Sequence, residues 1–324
     1  MAMRCKRCRA PAVLEVRRHN AAFCKDCFVH YAKQQVSRAI AKHRMLAPED
    51  RVLVAVSGGK DSLALWDILL DLGYQADGLY LSLGIGGYSA RSKQLCERFA
   101  AERGAKLLVH DLAAQQGYTI PQAASAQGRG GRSACGVCGL SKRYVFNKAA
   151  LDGGYDVVAT GHNLDDEAAV LFGNTLRWDV EAMARQYPVL EATRPGLVKK
   201  VKPLYRLAER ETAAYCVLRG IEYVIEECPL VAGNTQMRYK DTLNQMEEAA
   251  PGTKHNFLFG YLDRAAELLR RADDAELAEC SRCGMVTQAP KDPDEPPVCA
   301  FCRSRARLVE RGAKPLPIAE VRAG

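Results

Sequence analysis

Cys135, Cys138 and Cys228 are the side chains of this 324-residue sequence with the most chemistry left open. The first two form a Cys-Gly-Val-Cys pair, and the third stands alone in Glu226-Glu227-Cys228-Pro229. Thiolates are soft ligands and strong nucleophiles. Three without a fourth partner define a site with one position unfilled. Three chemistries fit that description. One is a 4Fe-4S cluster with an open iron that takes an outside sulfur ligand. Another is a zinc knuckle lacking its fourth ligand, and the last is a redox Cys-x-x-Cys that passes a persulfide. The other chemical feature is the loop Ser57-Gly58-Gly59-Lys60-Asp61-Ser62. Its glycines let backbone approach a phosphate, and the free N–H groups of a following helix point at that anion. A nucleotide triphosphate site beside a thiol site suits the activation of an oxygen and its replacement by sulfur.

The G-x-x-x-x-G-K-[ST] pattern of motor-type NTPases is absent. Ser-Gly-Gly-Lys-Asp-Ser resembles instead the PP-loop of the ATP pyrophosphatases, which implies cleavage between the α and β phosphates with AMP left on the substrate. Ala55, Val56 and Ser57 are expected to line the nucleotide, and Leu81, near the end of a strand at Gly78–Leu83, to pack on adenine. Asp61 is the candidate for holding Mg²⁺ or orienting the phosphates. A second run, Ala159-Thr160-Gly161-His162-Asn163-Leu164-Asp165-Asp166-Glu167, follows the apolar Asp156–Ala159 and opens another helix. Carboxylates near a helix start are favoured by its dipole, so plain capping competes for Asp165 and Glu167. Asp166 is singled out as metal ligand or proton acceptor. Lys142 follows Cys138 by four residues, which on a helix sets ammonium and thiol on one face. A surface lysine on a basic helix is the plain alternative.

Eight further cysteines fall into two sets of equal spacing. Cys5-x2-Cys8-x15-Cys24-x2-Cys27 is repeated as Cys280-x2-Cys283-x15-Cys299-x2-Cys302. Both fit the zinc-ribbon pattern. The N-terminus is basic and polar without an apolar signal core, so closed structural zinc sites and a cytoplasmic location are expected rather than disulfides. Each metal would contribute on the order of 10 kcal/mol to a segment too small to bury its own core. Cys96 and Cys216 have no partner spacing and read as small core residues.

These groups need a scaffold. Arg51–Ser57 is apolar without alternation, as a buried strand of a parallel sheet is, and Leu63–Leu70 has helical periodicity. Residues 50–230 alternate strands and helices, and the length suits one α/β core with small appendages. The fold class is therefore α/β, a parallel sheet flanked by N- and C-terminal zinc ribbons. Expected boundaries are 1–31 for the first ribbon, 32–233 for the ATP-binding catalytic domain, 234–275 for a helical segment, 276–310 for the second ribbon and 311–324 for a tail. A basic helix is expected from His30 to Leu46, and Leu243, Met246, Leu268 and Leu269 are core candidates. No run is long enough to span a membrane. Residues 1–50 carry eleven Lys/Arg against four Asp/Glu, and Arg194, Lys199, Lys200, Lys202 and Arg206 cluster near the strand Val198–Val201. Such patches suit a phosphate backbone, with a solvated basic face as the bland reading. Gln127–Ser133 is glycine-rich and reads as a mobile loop able to close over the site or touch RNA.

Taken together, Ser-Gly-Gly-Lys-Asp-Ser, Cys135–Tyr144, Thr160–Glu167, the isolated Cys228 and the paired ribbons resemble the tRNA 2-thiouridine synthetases. Within that family the likeness points to thiolation of ribothymidine 54. Wobble-uridine thiolases are a near rival, cytidine-32 thiolases a poorer fit, and a PP-loop amide ligase such as a lysidine synthetase a distant one. The resemblance implies that Cys135, Cys138 and Cys228 hold one 4Fe-4S cluster and that Lys142 and Asp166 are catalytic. It also implies that residues 57–62 with Gly161 bind ATP. A ubiquitin-like thiocarboxylated sulfur carrier as donor and a homodimer are implied in the same way.

Overall fold

The computed structural model describes residues 3–126, 133–231, 234–270, 276–290, 292 and 294–310. The glycine-rich run 127–132 and the tail 311–324 lie outside them. An N-terminal hairpin, β1 (Leu14–Val16) and β2 (Ala21–Phe23), leads into the long α1 (Lys25–His43). Next come β3 (Arg51–Val56), α2 (Lys60–Asp71), β4 (Gln75–Ser82), α3 (Gly86–Arg103) and β5 (Leu107–Asp111). Two short helices, α4 (Leu112–Gln116) and α5 (Ile120–Ser125), precede α6 (Ala134–Asp152). The chain returns through β6 (Val157–Thr160), α7 (Leu164–Arg177), α8 (Val180–Ala184), β7 (Val189–Leu190), β8 (Lys199–Val201), a 3-10 turn (Pro203–Arg206) and α9 (Glu209–Arg219). A helical segment follows: α10 (Thr235–Ala249), α11 (Thr253–Arg264) and α12 (Ala266–Arg270). The hairpin β9 (Leu277–Glu279) and β10 (Val286–Gln288) with α13 (Ala300–Glu310) closes the described chain.

The central sheet has the order β5-β4-β3-β6-β8-β7, parallel except for the edge strand β7. From β3 the chain builds outward to β5, then returns to lay β6 against the other side of β3. That reversal opens a crevice at the carboxyl ends of β3 and β6, the place where open α/β sheets take their ligands. Both sequence-marked loops, 57–62 and 160–167, start there. Val52, Leu53 and Val54 of β3 are fully buried, as a strand covered on both faces requires. Behind the sheet Asp67 is held by Arg103 (2.6 Å), Arg219 (2.9 Å) and the Tyr215 hydroxyl (2.7 Å), which ties α2 to α3 and α9 away from the crevice. These donors hold the Asp67 carboxyl below its ordinary value despite its burial.

Neither ribbon is a loose appendage. Cys5, Val16, Phe23 and Phe28 of the first share a core with Trp66 and Leu69 of the sheet layer. Phe301 and Leu308 of the second pack with Tyr118, Val137 and Val145 around α6. The ring of Phe301 stacks on Tyr144 at 3.7 Å and 6°.

Several expectations shift. The basic helix starts at Lys25, not His30, because Cys24 is its N-cap and Cys27 lies in its first turn. The second half of the knuckle is thus wound into α1, which runs across position 31. In the helical segment Leu243 is buried against Ala168 and Ala169 of α7, but Met246 is 47% and Leu268 69% exposed. Neighbouring helical positions are about 100° apart, so Leu269 reaches the core and Leu268 cannot. No helix among the described residues is long and apolar enough to cross a membrane.

Candidate active site

The phosphate-type loop follows β3. Gly59 caps α2, and the Ser57 N–H donates to Ser62 Oγ at 3.1 Å, while that hydroxyl donates to the Gly59 carbonyl at 2.9 Å. The turn is therefore preformed, with its serines bonded to each other. Gly58 has φ +75°, and a Cβ there would meet the Ser92 carbonyl at 2.8 Å. The loop is pressed against α3. From the other side β6 delivers Gly161, where a Cβ would come within 2.9 Å of the Asp61 carbonyl carbon and the Ser62 nitrogen. Only a residue without a side chain lets the two loops touch.

Gly161→Ala is accordingly expected to part the loops while leaving the sheet intact. Overpacking of this kind costs about 1–3 kcal/mol, so ATP affinity should fall about tenfold or more. Titration with a fluorescent ATP analogue checks it. Wild-type affinity would show that the close approach serves no nucleotide.

Between these loops lies a cavity of about 450 Å³. Ala55, Val56, Ser57, Asp61, Ser62, Leu81 and Gly161 are in its wall, as are Lys142 and the three cysteines Cys135, Cys138 and Cys228. Gly58, Gly59, Lys60 and Asp166 are not. Lys60 turns away to Glu209 (2.7 Å) and Asp61 Oδ2 (3.2 Å). Asp166 closes the capping box of α7, its Oδ2 accepting from the Asn163 N–H at 3.2 Å and its Oδ1 pairing with Lys240 at 2.7 Å. Lys240 also holds Glu209 at 2.8 Å. Against its partial burial, Glu209 is kept down at about 2 by Lys240 and Lys60. Asp61 Oδ1 accepts from Asn163 Nδ2 at 2.9 Å and from the Thr212 hydroxyl. Burial pushes the Asp61 carboxyl up, with Lys60 pulling against it. Asp165 and Glu167 are spoken for by Lys254 and Lys202.

Lys142 differs from these lysines. It faces the cavity from α6, one turn after Cys138, and pairs with no acidic side chain among the described residues. Its charge favours the thiolates of Cys138 and Cys135, against a burial that drives both thiols up. The Cys228 segment is anchored close by. The Val224 N–H donates to the Gly58 carbonyl at 2.8 Å, so the loop bearing Cys228 hangs from the phosphate loop itself.

Sulfur spacing separates the metal candidates. In each of the two sets of four knuckle cysteines the sulfurs lie within 4.8 Å of one another, close enough to share one tetrahedral zinc at about 2.3 Å. Backbone N–H groups of Cys299 and Cys302 donate to Cys280 Sγ (3.2 Å) and Cys299 Sγ (3.3 Å), the outer-shell bonds that suit metal-bound thiolates. Those two sets alone meet the limit among the described residues. Cys135, Cys138 and Cys228 share a cavity without forming such a set.

The sequence did not single out α3. Tyr88 and Ser92 line the cavity. Burial raises the Tyr88 phenol, and the thiols of Cys228 and Cys138 add to the rise. Ser92 is 2% exposed, and its Oγ has no hydrogen-bond partner among the described residues. A polar ligand in the cavity would satisfy it. His162 lies in the motif already marked, its Nδ1 2.8 Å from Thr160 Oγ1.

Known proteins resemble this arrangement. The PP-loop domain family matches residues 30–241, and the N-terminal LIM domain of the 2-thiouridine synthetase TtuA matches residues 4–29. The tRNA-5-methyluridine(54) 2-sulfurtransferase of Thermus thermophilus is 49% identical over 312 residues, which are 96% of this chain and 94% of that one. The enzyme of the same name from Pyrococcus horikoshii is 40% identical over 301 residues, 93% of each chain. Among solved structures, the U34-tRNA thiolase NcsA from Methanococcus maripaludis, with its [4Fe-4S] cluster, superposes with a TM-score of 0.78. It is 23% identical, over 95% of this chain and 97% of that chain.

Proposed function

Since the chain belongs to the PP-loop tRNA 2-thiolation sulfurtransferases, we propose that it thiolates a uridine-type base of tRNA, ribothymidine 54, in two steps. The base 2-oxygen first attacks the α-phosphate of ATP and pyrophosphate leaves. Sulfur then bonds to carbon 2 and AMP departs with the oxygen. One observation carries this reading: a phosphate loop, an unneutralised lysine and three thiols line a single cavity.

The roles follow from chemistry. Backbone N–H groups at the start of α2 hold the departing phosphates, and Asp61, on the same turn, positions Mg²⁺. Leu81 packs against the adenine. Lys142 sets its ammonium over the α-phosphate, where charge builds as pyrophosphate leaves. Asp166 is a positioning residue, restraining Lys240 and the start of α7. Cys135, Cys138 and Cys228 would hold a 4Fe-4S cluster, whose open iron supplies a coordination position for the incoming sulfur. The two four-cysteine sets hold structural Zn²⁺. A ubiquitin-like thiocarboxylated carrier delivers the sulfur, and the enzyme works as a homodimer.

Product analysis tests the first step. With unmodified tRNA, ATP should yield AMP and pyrophosphate in amounts that depend on the tRNA. ADP and phosphate would refute the PP-loop chemistry. Nucleoside mass spectrometry of the treated tRNA should locate the sulfur at position 54, and sulfur at position 34 or 32 would overturn that assignment.

A further inference from the structure

We propose that a cleft between the first four-cysteine knuckle and α1 docks the sugar–phosphate backbone of the RNA substrate. The proposal rests on tRNA being the substrate and adds a second, non-catalytic contact to it.

The cleft measures about 390 Å³ and shares no lining residue with the catalytic cavity. Lys6 and Arg7 come from the knuckle, Arg38 from α1 and Arg206 from the 3-10 turn, and no Asp or Glu lines it. The pocket beside α10 and α11 differs, being lined by Glu15, Asp165, Glu209, Glu211, Glu247 and Glu248 as well as by cations, and the acid-free cleft between α6 and the second knuckle holds only two cations, Arg143 and Lys200. Lys6, Arg7 and Arg38 are exposed and enter no ion pair among the described residues. Lys33, on another face of α1, pairs with Asp71. The acid that could reach the cleft is already matched, since Glu211 is buried against Arg18 at 2.7 Å.

Arg206 is fixed without being neutralised. Its Nε donates to Gln35 Oε1 at 3.1 Å, and its guanidinium lies 5.0 Å from the centre of the Phe259 ring. His19, in the cleft wall, is held below its ordinary value by partial desolvation and then by the charges of Arg18, His255, Arg206 and Lys6. Four like charges gathered in one concavity repel each other, and a polyanion relieves that repulsion. Guanidinium forks and an ammonium suit phosphate oxygens. Four cations exceed what one small anion needs, whereas a backbone presents phosphates in series. Phe23 and Tyr31 are buried and stacked on each other at 5.1 Å, so the cleft grips backbone and leaves bases unread.

The test uses full-length, anaerobically prepared holoenzyme and unmodified tRNA, with binding followed by fluorescence anisotropy across a KCl series. In Lys6→Gln/Arg7→Gln/Arg38→Gln the slope of log affinity against log salt should flatten by about two units, at roughly 0.7–0.9 per lost phosphate contact. Affinity at moderate salt should fall about tenfold or more, with ATP affinity unchanged. Because Lys6 and Arg7 sit inside a metal knuckle, Arg38→Glu alone, on α1, provides an independent variant. It should weaken tRNA binding in the same direction. Wild-type affinity in both variants, or weaker binding with an unchanged slope, overturns the proposal while leaving tRNA as the substrate. A wild-type enzyme that does not bind tRNA overturns the functional reading and this site together.

Discussion

Cys228→Ala should abolish both iron binding and thiolation while leaving the ATP site and the two zinc sites filled. Cys135 and Cys138 lie one turn apart on α6, and two thiols on one helix face cannot hold a cluster alone. On the proposed reading Cys228, in the same cavity wall, would supply the third ligand. Its loop is held independently of the sulfur, by Val224 N–H on the Gly58 carbonyl and by packing of Leu230 beside α6. Loss of the thiol therefore removes a ligand without collapsing the wall. Iron and sulfide content, the absorption spectrum and single-turnover thiolation in one anaerobic preparation give the answer. Thiolation that persists with iron absent would end the cluster reading and leave the persulfide relay. ATP binding close to that of the parent enzyme shows that the variant has folded.

Lys142→Ala is expected to slow the chemical step by about a hundredfold or more, the loss typical of removing one preorganised donor to a developing anion. The neighbouring lysines cannot stand in for it. Lys60, Lys240 and Lys202 are each committed to carboxylates at 2.7–2.8 Å. The variant should keep its iron, because lysine is not a ligand, and should bind tRNA as tightly as before. Single-turnover rates, with cluster content and tRNA affinity measured alongside, separate chemistry from assembly. A rate equal to that of the parent enzyme would return Lys142 to the role of a surface charge.

What could be read from the sequence was local. Strand, glycine turn and helix at 51–70 announce an anion site because each step is a neighbour of the last. The knuckles announce themselves through spacing, and Cys135, Cys138 and Cys228 by standing outside both sets. Asp166 shows the opposite case. Asn163 at the N-cap and Asp166 three positions on spell a capping box, and the structure fills it, with the carboxylate turned to Lys240. Tyr88 and Ser92 could not be found in this way. They reach the cavity because α3 crosses the loop at Gly58, a contact between positions some thirty residues apart that no local pattern encodes. The start of α1 at Lys25 rather than His30 has a related reason, since a cysteine of the knuckle in the first turn of a helix belongs to two elements at once.

The face-to-face stack of Phe301 on Tyr144 has a mechanical meaning. Tyr144 lies two residues beyond Lys142 on the rod that also carries Cys135 and Cys138, and Phe301 lies between the last two thiols of the C-terminal knuckle. A metal held by that knuckle would thus clamp one wall of the cavity. Its removal would loosen the grip on that rod and blur the aim of the lysine and of both thiols, with no change to any group that meets the substrate. By this reasoning the second knuckle belongs to the catalytic apparatus as stiffness rather than as chemistry.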